Sequence, residues 1–597
     1  MTDIFSITDL QVQGRPPGGQ YVPIVNGVSF SVKKGEVVAL IGESGSGKST
    51  ISLAAMGFAR PGCRISGGKV VLNGRDIMAL APQERHVLRG REVAYVAQSA
   101  AASFNPAIRI GKQVIEAPLW HGTADAMTAG NTALDLYRKL DLPDPENIGA
   151  RFPHQVSGGQ LQRLMAAMAM SCGPDLLILD EPTTALDVTT QIEVLKAFKD
   201  IIREQGTAAI YVTHDLSVVA QMADRILVLK DGAVVEMGDT DQIIHAPQHA
   251  YTKTLMDAVT PAERPEHLPA ANPEIILSAR NITAGYGAVT ILRDVSVDVP
   301  KGTVVGVIGE SGCGKSTLAR IIAGLTPTRE GETCIAGKSV APAVGDRDKA
   351  TLRDCQIVFQ MADTALNPRM RIRDLLGRPL QFYHGLTGKA QAARVAELLT
   401  LVDLPPEFAS RFPGELSGGQ KQRVNLARAL AADPKVILCD EVTSALDTVV
   451  AAGVIALLND LKDRLGISFM FISHDLSTVS SFADDVVVLY AGRVVEKGPA
   501  KAVFQPPWHP YTKLLLASVP EMRQGWLEGV AETAEAQAAG AGGVDLGAKG
   551  CPFANRCAHL IKGTCDTTVP PMRVLENRLA IACHLQPDTL PGARDRS

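Results

Sequence analysis

Short, nearly uninterrupted apolar runs recur along this chain, and each is followed by a polar or glycine-rich stretch. The runs occupy residues 37–41, 176–179, 209–213, 436–439 and 469–473. Continuous apolar runs of this length are typical of strands that are buried on both faces. Stretches with helical patterning lie between them, among others at residues 49–56 and 316–322. Strands that alternate with helices predict an α/β fold with a mainly parallel sheet, whose ligand lies at the carboxyl ends of the strands.

The whole pattern of elements and motifs is present twice. The glycine-rich segment at residues 42–50 returns at 309–317, and the Ser-Gly-Gly-Gln segment at 157–160 returns at 417–420. A spacing of about 260 residues is far longer than the roughly 20–50 residues of a solenoid repeat, so it indicates a duplicated domain. We therefore predict a first domain at residues 1–258 and a second at 274–530.

The segments between and after the two predicted domains differ from them in composition. Residues 259–273 carry four prolines among polar residues, which predicts a stiff linker. Residues 531–550 are rich in Ala and Gly, which predicts a flexible tether. A short cysteine-rich C-terminal segment follows at residues 551–597.

Bulk composition limits the classes of function. Of the 597 residues, 46% are apolar and 20% are charged, as in an ordinary globular protein. The net charge of −4 gives no sign of a basic surface for nucleic acid. We find no signal peptide and no uninterrupted apolar run of about 18 residues. Any association with a membrane is therefore expected to be indirect, through partner chains.

Residues 42–50 and 309–317 have the spacing of a phosphate-binding loop, and each lies between a predicted strand and a predicted helix. The glycines let successive backbone N–H groups curl around a phosphate, and the helix N-terminus adds partial positive charge. Lys48 and Lys315 can reach the β- and γ-phosphates, and the hydroxyls of Ser49 and Ser316 can bind Mg²⁺. The loop residues predicted to bind nucleotide are Gly42, Glu43, Ser44, Gly45, Ser46, Gly47, Lys48, Ser49 and Thr50, and Gly309, Glu310, Ser311, Gly312, Cys313, Gly314, Lys315, Ser316 and Thr317.

A pair of carboxylates ends one buried strand in each half. Asp180 and Asp440 are predicted to hold Mg²⁺, directly or through water. Glu181 and Glu441 then lie where a base could orient or deprotonate the attacking water. The remaining predicted catalytic residues, each of which follows a later strand and could contact the γ-phosphate, are His214 and His474.

The Ser-Gly-Gly-Gln segments look like helix N-caps with exposed N–H groups, which suits a second phosphate clamp. Their residues are Ser157, Gly158, Gly159 and Gln160, and Ser417, Gly418, Gly419 and Gln420. Together with the loops, the carboxylate pairs and the histidines, they resemble the ATP-binding cassette (ABC) family over about residues 1–530. The resemblance implies an ATPase that converts ATP and water to ADP and phosphate. It also implies two tandem P-loop NTPase domains, each with a parallel-sheet core and a helical subdomain.

The same resemblance implies further site residues. Gln98 and Gln360 match the family's Q-loop glutamines, which contact the γ-phosphate and Mg²⁺. Residues 185–187 and 445–447 match its D-loops, which end in Asp187 and Asp447. The family also implies a head-to-tail sandwich within this chain, in which the Lys48 site is completed by Ser417 and the Lys315 site by Ser157.

A narrower resemblance concerns the peptide importers of that family. Residues 246–252 and 507–512 are similar to the His-Pro-Tyr-Thr segment of oligopeptide and dipeptide importer ATPases, although the first copy has Ala250 where the family has proline. This resemblance implies an importer for peptides or peptide-like solutes, with two integral-membrane permease subunits and a periplasmic or extracellular solute-binding protein as partners. The chain would then lie peripherally on the cytoplasmic face of the cell membrane.

Two other classes of tandem-cassette ATPase carry the same motifs. A ribosome-acting translation factor also has two cassettes without a membrane span, but such factors typically have a long charged helical linker. A DNA-repair or chromosome-maintenance ATPase predicts large coiled-coil or zinc-module insertions, which this sequence lacks. The importer hypothesis is the one favoured by the sequence.

The two predicted ATP sites differ at the position where the family often stacks an aromatic ring on adenine. Tyr286 occupies that position in the second half, and Gly14 aligns with it in the first. Tyr21 is a candidate substitute after the longer first loop. We therefore expect two working sites with unequal nucleotide affinity.

Four cysteines crowd into the C-terminal segment: Cys551, Cys557, Cys565 and Cys583. Their spacing is wider than that of most structural zinc sites, and disulfides are rare in a reducing compartment. The pattern resembles the C-terminal cysteine motif of peptide-importer ATPases, which in some members holds an iron–sulfur cluster. Four thiolates suit a [4Fe–4S] cluster, with zinc and free thiols as the alternatives. We expect Phe553 to shield such a cluster and Arg556 to offset its charge.

Overall fold

A computed structural model describes residues 3–15, 19–183, 186–259, 273–444, 446–530 and 547–593. Nearly all of the predicted proline-rich linker, most of the predicted tether, and Ala185 and Ala445 of the predicted D-loops lie outside the described residues. The chain divides into two compact units. The first comprises residues 1–260 and 520–532, and the second comprises residues 261–519 and 533–597.

The first unit contains an antiparallel and a mainly parallel sheet. Its strands are β1 (Asp3–Gly14), β2 (Val22–Lys33), β3 (Val37–Ile41), β4 (Cys63–Leu72), β5 (Arg75–Asp76), β6 (Val93–Val96), β7 (Leu176–Asp180), β8 (Ala208–Val212), β9 (Arg225–Lys230) and β10 (Ala233–Asp239). The antiparallel sheet has the order β2-β1-β4-β5, and the other has the order β10-β9-β3-β8-β7-β6. In the second sheet the pairs β9-β3, β3-β8, β8-β7 and β7-β6 are parallel. The predicted parallel α/β core is thus confirmed.

Helices pack on these sheets and form a separate helical region. They are α1 (Lys48–Ala55), α2 (Pro82–Leu88), α3 (Ala100–Ser103), α4 (Ile110–Val114), α5 (Glu116–Trp120), α6 (Ala126–Lys139), α7 (Pro145–Ile148), α8 (Gly158–Met170), α9 (Val188–Gln205), α10 (Leu216–Met222), α11 (Thr240–His245) and α12 (Ala250–Val259). Strands β3, β7 and β8 are buried over their whole length, because the sheet is covered on both faces. The polar residues that follow these strands in the chain therefore lie at one edge of the sheet.

The second unit repeats this plan. Its strands are β11 (Ile275–Tyr286), β12 (Val289–Pro300), β13 (Val304–Ile308), β14 (Glu330–Ile335), β15 (Lys338–Ser339), β16 (Cys355–Val358), β17 (Val436–Asp440), β18 (Ser468–Ile472), β19 (Asp485–Tyr490), β20 (Arg493–Pro499), β21 (Met572–Val574) and β22 (Ala580–Ala582). Its helices are α13 (Lys315–Ile322), α14 (Lys349–Asp354), α15 (Ala362–Ala365), α16 (Ile372–His384), α17 (Gly388–Leu401), α18 (Gly418–Leu430), α19 (Thr448–Leu465), α20 (Leu476–Phe482), α21 (Ala500–Val503) and α22 (Pro510–Ala517). The antiparallel sheet runs β12-β11-β14-β15.

The cysteine-rich segment is part of the second unit. Strand β22 pairs with β20, and β21 pairs with β22, so the main sheet has the order β16-β17-β18-β13-β19-β20-β22-β21. No alternating or apolar pattern in these residues predicts this pairing. The tail therefore extends the sheet of the second unit.

Residues 520–530 belong to the first unit, whereas the sequence-based boundary assigned them to the second domain. Trp526 and Leu527 are buried in a hydrophobic cluster of the first unit, together with residues of α8, α9 and α10.

Among the residues that the structure describes, no helix is long and apolar enough to span a membrane.

Candidate functional site

Both predicted phosphate-binding loops leave a buried central strand and enter a helix. In the first unit, β3 leads through residues 42–47 to α1, and the Lys48 Nζ donates hydrogen bonds to the carbonyl oxygens of Gly42 (2.7 Å) and Glu43 (2.8 Å). In the second unit, Lys315 makes the same bonds to Gly309 (2.8 Å) and Glu310 (2.9 Å). The ammonium group therefore curls over the loop, where a phosphate could take the place of the carbonyls as its partner.

The first glycine of each loop has no room for a side chain. Gly42 has a φ of 145°, and a Cβ atom on it would lie 2.1 Å from the carbonyl oxygen of Leu229. Gly309 has a φ of 149°, and its Cβ would lie 2.1 Å from the carbonyl oxygen of Leu489. The close packing of the loop against β9 or β19 explains why glycine is needed there.

A hydroxyl and a carboxylate meet at each predicted magnesium site. The Ser49 Oγ donates to Asp180 Oδ1 at 3.2 Å, and the Ser316 Oγ donates to Asp440 Oδ1 at 2.7 Å. Burial raises the pKa of both carboxyl groups, because it disfavours the charged form. Hard oxygen ligands of this kind are the ones that Mg²⁺ prefers, so the residues fit that ion.

The predicted general bases are each held between a glutamine and a histidine. The Gln98 Nε2 donates to Glu181 Oε2 at 2.8 Å, and His214 Nδ1 lies 3.2 Å from Glu181 Oε1. In the second unit, the Gln360 Nε2 donates to Glu441 at 2.8 Å, and His474 Nδ1 lies 3.5 Å from it. Glu181 and Glu441 each have a φ of 50°, a conformation rare for residues other than glycine. This repeated backbone conformation aims both carboxylates at the same pair of partners.

Charges around Glu441 favour its ionised form. Burial alone would lower the pKa of His214 and His474, but the hydrogen bond and charge of the adjacent glutamate raise it above the usual value. Burial likewise acts to raise the pKa of Glu441, but His474 outweighs it and the net pKa is lowered. An ionised carboxylate beside the loop is the form that can accept a proton from water.

The Ser-Gly-Gly-Gln segments begin helices, as predicted. Ser157 caps α8: its Oγ accepts a hydrogen bond from the backbone N–H of Gln160 at 3.3 Å, and Gln160 Oε1 accepts one from the N–H of Ser157 at 3.1 Å. Ser417 caps α18 by the same reciprocal bonds, at 3.4 and 3.0 Å. The capping serines are exposed in each unit described by itself, and so are Gly158 and Gly418, whereas Gly159 and Gly419 are buried. A helix N-terminus of this kind can receive an anion.

The aspartates of the predicted D-loops also cap helices. The Asp187 Oδ1 accepts from the N–H of Thr190 at 3.0 Å at the start of α9, and the Asp447 Oδ1 accepts from the N–H of Val450 at 3.1 Å at the start of α19. Their side chains therefore fix the helix that follows each catalytic strand.

The structure adds residues that the sequence reasoning had not placed at the site. Tyr251 and Tyr511, from the His-Pro-Tyr-Thr segments, accept hydrogen bonds from the backbone N–H groups of Glu43 (3.1 Å) and Glu310 (2.8 Å). Tyr95 donates to Asp180 Oδ2 at 2.6 Å in the first unit. The pairing of β6 and β16 with their neighbours places Ile357 at the matching position of the second unit. The repeated Tyr-Thr pair is the one sequence signal for the bonds from Tyr251 and Tyr511 to the loops. No sequence pattern indicated the bond between Tyr95 and Asp180.

The candidate adenine residues differ between the halves. Tyr286 ends β11, is 47% exposed, and has its hydroxyl near Thr317 of the loop, Arg320 and Thr326. Gly14 ends β1 at the corresponding position, and a Cβ there would lie 2.5 Å from the side chain of Ile24. The Tyr21 ring has the Arg64 guanidinium 4.1 Å from its centroid, so its face is already engaged by a cation.

The tail reaches the second loop directly. Arg556 Nη1 lies 3.0 and 2.9 Å from the two carboxylate oxygens of Glu310, and both side chains are largely buried. Phe553 packs edge-on against Tyr490 with 5.3 Å between ring centroids, and also contacts Tyr511. The guanidinium of Arg556, expected from the sequence to offset the charge of a cluster, is thus already paired with Glu310. The tail, though distant in sequence from the catalytic motifs, contacts the loop.

The four tail cysteines lie within electrostatic reach of one another. Burial, and then the neighbouring thiols, raise the pKa of Cys551 to about 12 and that of Cys557 to about 11. The backbone N–H of Cys551 donates to the carbonyl of Cys565 at 2.6 Å. In the described part of the chain, no group of three or more His, Cys, Asp or Glu side chains is arranged to hold a metal ion. The structure therefore gives no support to the predicted zinc alternative, and no direct evidence for an iron–sulfur cluster.

Comparison with known families identifies two kinds of matching region. Residues 25–184 and 292–444 match the family described as "ABC transporter". Residues 235–283 and 495–565 match the "Oligopeptide/dipeptide transporter, C-terminal region". The second match contains Tyr251, Tyr511, Arg556 and the first three tail cysteines.

Similar proteins cover most of the chain. It is 40% identical over 543 residues to the glutathione import ATP-binding protein GsiA of Escherichia coli (strain K12), which covers 84% of this chain and 87% of the relative. It is 39% identical over 560 residues to the protein of that name from Salmonella typhimurium, covering 87% and 90%. Among solved structures, cbiO1 of Clostridium perfringens, part of the ABC transporter complex cbiONQ, is 27% identical with a TM-score of 0.36, covering 38% of this chain and 90% of that one.

Proposed function

Because the chain belongs to the ATP-binding cassette family, in its branch of oligopeptide and dipeptide importer ATPases, we propose that its two ATP sites energise the uptake of short peptides or peptide-like solutes. The chain is an ATPase, the ATP-hydrolysing subunit of an ABC importer. The ribosomal alternative is not supported, since the matching relatives are importer subunits. The observation that carries the proposal is that each unit holds a complete set of loop, carboxylate pair and histidine, with the importer-specific tyrosine bonded to its loop.

The geometry supports a role for each side chain. The loop N–H groups and Lys48 or Lys315 would hold the β- and γ-phosphates, and Ser49 with Asp180, or Ser316 with Asp440, would hold Mg²⁺. A bound Mg²⁺ would neutralise charge on the phosphates. The glutamate carboxylate would take a proton from the attacking water while the glutamine and histidine keep it oriented.

We further propose that the two units complete each other's sites. The N-termini of α8 and α18, which begin after the exposed residues Ser157 and Ser417, are suited to a γ-phosphate. Cross-pairing of Lys48 with Ser417 and of Lys315 with Ser157 gives each phosphate donors on two sides. ATP would then close the pair, and hydrolysis would open it.

The partners follow from the role of importer subunit. Membrane permease chains must carry the solute, since the described residues contain no spanning helix. A solute-binding protein must deliver it. We propose two permease subunits, one for each unit, a peripheral position on the cytoplasmic face of the inner membrane, and a glutathione-sized peptide as the solute, on the basis of the relatives' printed function.

Transport in a reconstituted complex tests this function. The chain, its permease subunits and the binding protein are placed in vesicles with the ATP sites outside. Loaded binding protein inside the vesicles should stimulate ATP hydrolysis and move labelled glutathione or dipeptide out of the lumen. A complex that hydrolyses ATP without responding to any short peptide would contradict the proposed solute class, but not the ATPase activity.

We expect the two sites to differ in ATP affinity, because Tyr286 offers adenine a stacking face and Gly14 does not. Tyr286→Ala should weaken ATP binding at the Lys315 site by about 5- to 150-fold, because stacking of a base on an aromatic ring is worth about 1–3 kcal/mol. The affinity is measured by titration with a fluorescent ATP analogue in a chain that also carries Lys48→Ala, which leaves the Lys315 site to report. Tyr286→Phe keeps the ring and serves as the control. Equal affinities for the alanine and phenylalanine variants would contradict the stacking role.

The tail thiols support a further proposal, a [4Fe–4S] cluster held by Cys551, Cys557, Cys565 and Cys583. The fit rests on the donor set: four soft ligands in one compact segment, all at least half-buried, with neighbouring thiols close enough to raise the pKa of Cys551, Cys557 and Cys583. A bound cluster would cross-link the segments that carry these cysteines. The thiol form of the tail, with its raised pKa values, would have to lose its protons to bind it.

Anaerobic purification tests the cluster. The protein should be brown, with about four iron and four sulfide per chain, and replacement of the four cysteines by serine should abolish the colour. The Ser variant should keep its second-unit fold through β21 and β22, as measured by proteolysis of the tail. A colourless preparation with one zinc per chain would favour the zinc alternative, and one without metal would leave free thiols.

A further inference from the structure

A surface on the first unit receives a segment that lies at the far end of the second cassette in the sequence. Residues 520–530 follow directly on the first part of the second unit, which runs to Val519 and resumes at Thr533, and yet they belong to the first unit. They pack on α9 and α10 of the first unit. These helices begin at Asp187 of the D-loop and directly after His214 and Asp215, so the segment lies on the elements that leave the catalytic strands.

A buried glutamine recognises the backbone of this segment. Gln221 on α10 is only 2% exposed. Its Nε2 donates to the carbonyl oxygens of Glu521 and Arg523, both at 2.7 Å, and its Oε1 accepts from the N–H of Leu527 at 3.0 Å. One buried amide therefore satisfies three main-chain groups of the segment, which fixes its path into the helical residues 526–530.

Side chains add an apolar and a charged contact. Trp526 and Leu527 are 5% and 1% exposed within the apolar cluster of the first unit. Glu528 pairs with Lys199 on α9 at 2.9 Å and lies 3.4 Å from Arg203. Burial of a tryptophan with a satisfied backbone is the arrangement of a specific interface rather than of a loose chain end.

The second unit does not offer the same surface. Helices α9 and α10 correspond to α19 and α20, with the same lengths and order. At the positions of Gln221, Lys199 and Arg203 the second unit has Ser481, Asn459 and Asp463. Ser481 donates to its own helix at Thr478, and Asp463 lies 3.6 Å from Lys462. The amide and both cations that hold the segment are thus particular to the first unit.

We infer that residues 520–530 are a strap that holds the two cassettes of one chain together when no nucleotide is bound. The chain connects the cassettes once through residues 260–272 and a second time through the strap, which is continuous with the second cassette and docked on the first. A second attachment raises the effective concentration of one cassette near the other. The strap needs no ATP, whereas the proposed ATP sandwich does, and its value for turnover rests on that proposed function.

A cut chain tests the strap. A protease site is placed within residues 260–272 of the full chain, the purified protein is cut, and the fragments are separated by gel filtration without nucleotide. We expect the two fragments to elute together. In a variant with the residues of the second cassette, Gln221→Ser with Lys199→Asn and Arg203→Asp, we expect them to separate. The reciprocal variant, Ser481→Gln with Asn459→Lys and Asp463→Arg, is the matched control and should behave as the wild type does.

Further variants keep the test clear of folding defects. Trp526→Asp with Leu527→Asp alters the strap and leaves the first cassette's own residues 1–260 unchanged, and it should also separate the fragments. Thermal unfolding of the uncut variants reports whether each still folds. Separation of the cut wild-type fragments, or co-elution of both strap-defective variants, would overturn the inference. If the proposed ATP sandwich were wrong, these nucleotide-free results would not change, because the sandwich is tested only by the nucleotide-trapping experiment.

Discussion

Replacement of both glutamates, Glu181→Gln with Glu441→Gln, should lower ATP turnover by a factor on the order of 10²–10⁴, because the amide cannot accept the proton of the attacking water. ATP binding should remain, since the loop lysines, the serines and the aspartates are unchanged. Glutamine has nearly the same shape, and it keeps an oxygen that can face Gln98 and Gln360. The bound, closed state should therefore accumulate.

Phosphate release at saturating ATP measures the rate, and retention of ATP after rapid desalting measures the trapped state. Glu204→Gln is the matched control, because Glu204 is an exposed residue of α9 that pairs only at the surface with Lys139. Its turnover should equal that of the wild type, since an exposed pair contributes little. Near-normal turnover of the double variant would show that these carboxylates are not the general bases.

The repeated motifs made most of this site predictable. Their spacing identifies a strand followed by a loop and a helix, and the parallel sheet then brings the ends of β3, β7 and β8 to one edge. Lys48, Ser49 and Asp180 were thus placed together by chain order and strand pairing alone. Local chemistry was sufficient there, because each residue acts at the end of a strand whose place in the sheet is fixed.

Contacts between elements distant in sequence were not predictable in the same way. Arg556 reaches Glu310 only because β22 adds to the edge of the sheet beside β20, and nothing in the short segments of the tail specifies that pairing. The end of the second predicted domain was set at residue 530 by composition. Trp526 and Leu527 nevertheless pack in the first unit, because Gln221 offers bonding partners that composition does not reveal. Tyr95 was missed because a tyrosine in a buried strand has no distinctive pattern.

The two sets of catalytic residues also differ beside the phosphate-binding loops, whereas the sequence suggested a difference only at the adenine position. Asp180 accepts hydrogen bonds from Ser49 and Tyr95, whereas Asp440 accepts one from Ser316, and Ile357 occupies the strand position that matches Tyr95. In the second unit the loop glutamate is also fixed by Arg556. Each of these contacts involves a group that would hold the nucleotide or its metal. The two sets of residues therefore differ in their contacts at the proposed phosphate end as well as at the proposed adenine position.

Exchange of one capping serine for arginine should inactivate the site in the opposite half. In the proposed sandwich, Ser417→Arg should abolish trapping of nucleotide by the loop at residues 42–50, and Ser157→Arg should abolish trapping at 309–317. Loss of a clamp donor, with a bulky side chain in the place of the phosphate, should lower turnover at the affected site by at least about 10²-fold. The cost to the helix itself is only about 1 kcal/mol, the usual cost of a lost N-cap.

The two variants are matched controls for each other, because Ser157 and Ser417 cap their helices by the same reciprocal bonds. A photoreactive ATP analogue labels the protein, and peptide mapping then shows which loop carries the label. Both variants should unfold within a few degrees of the wild type. If the label were lost from the loop of the mutated half and kept on the other, each unit would complete its own site and the cross-paired sandwich would be wrong. A label lost only from the opposite loop follows from cross-pairing, because only then does the mutated helix start contact that phosphate.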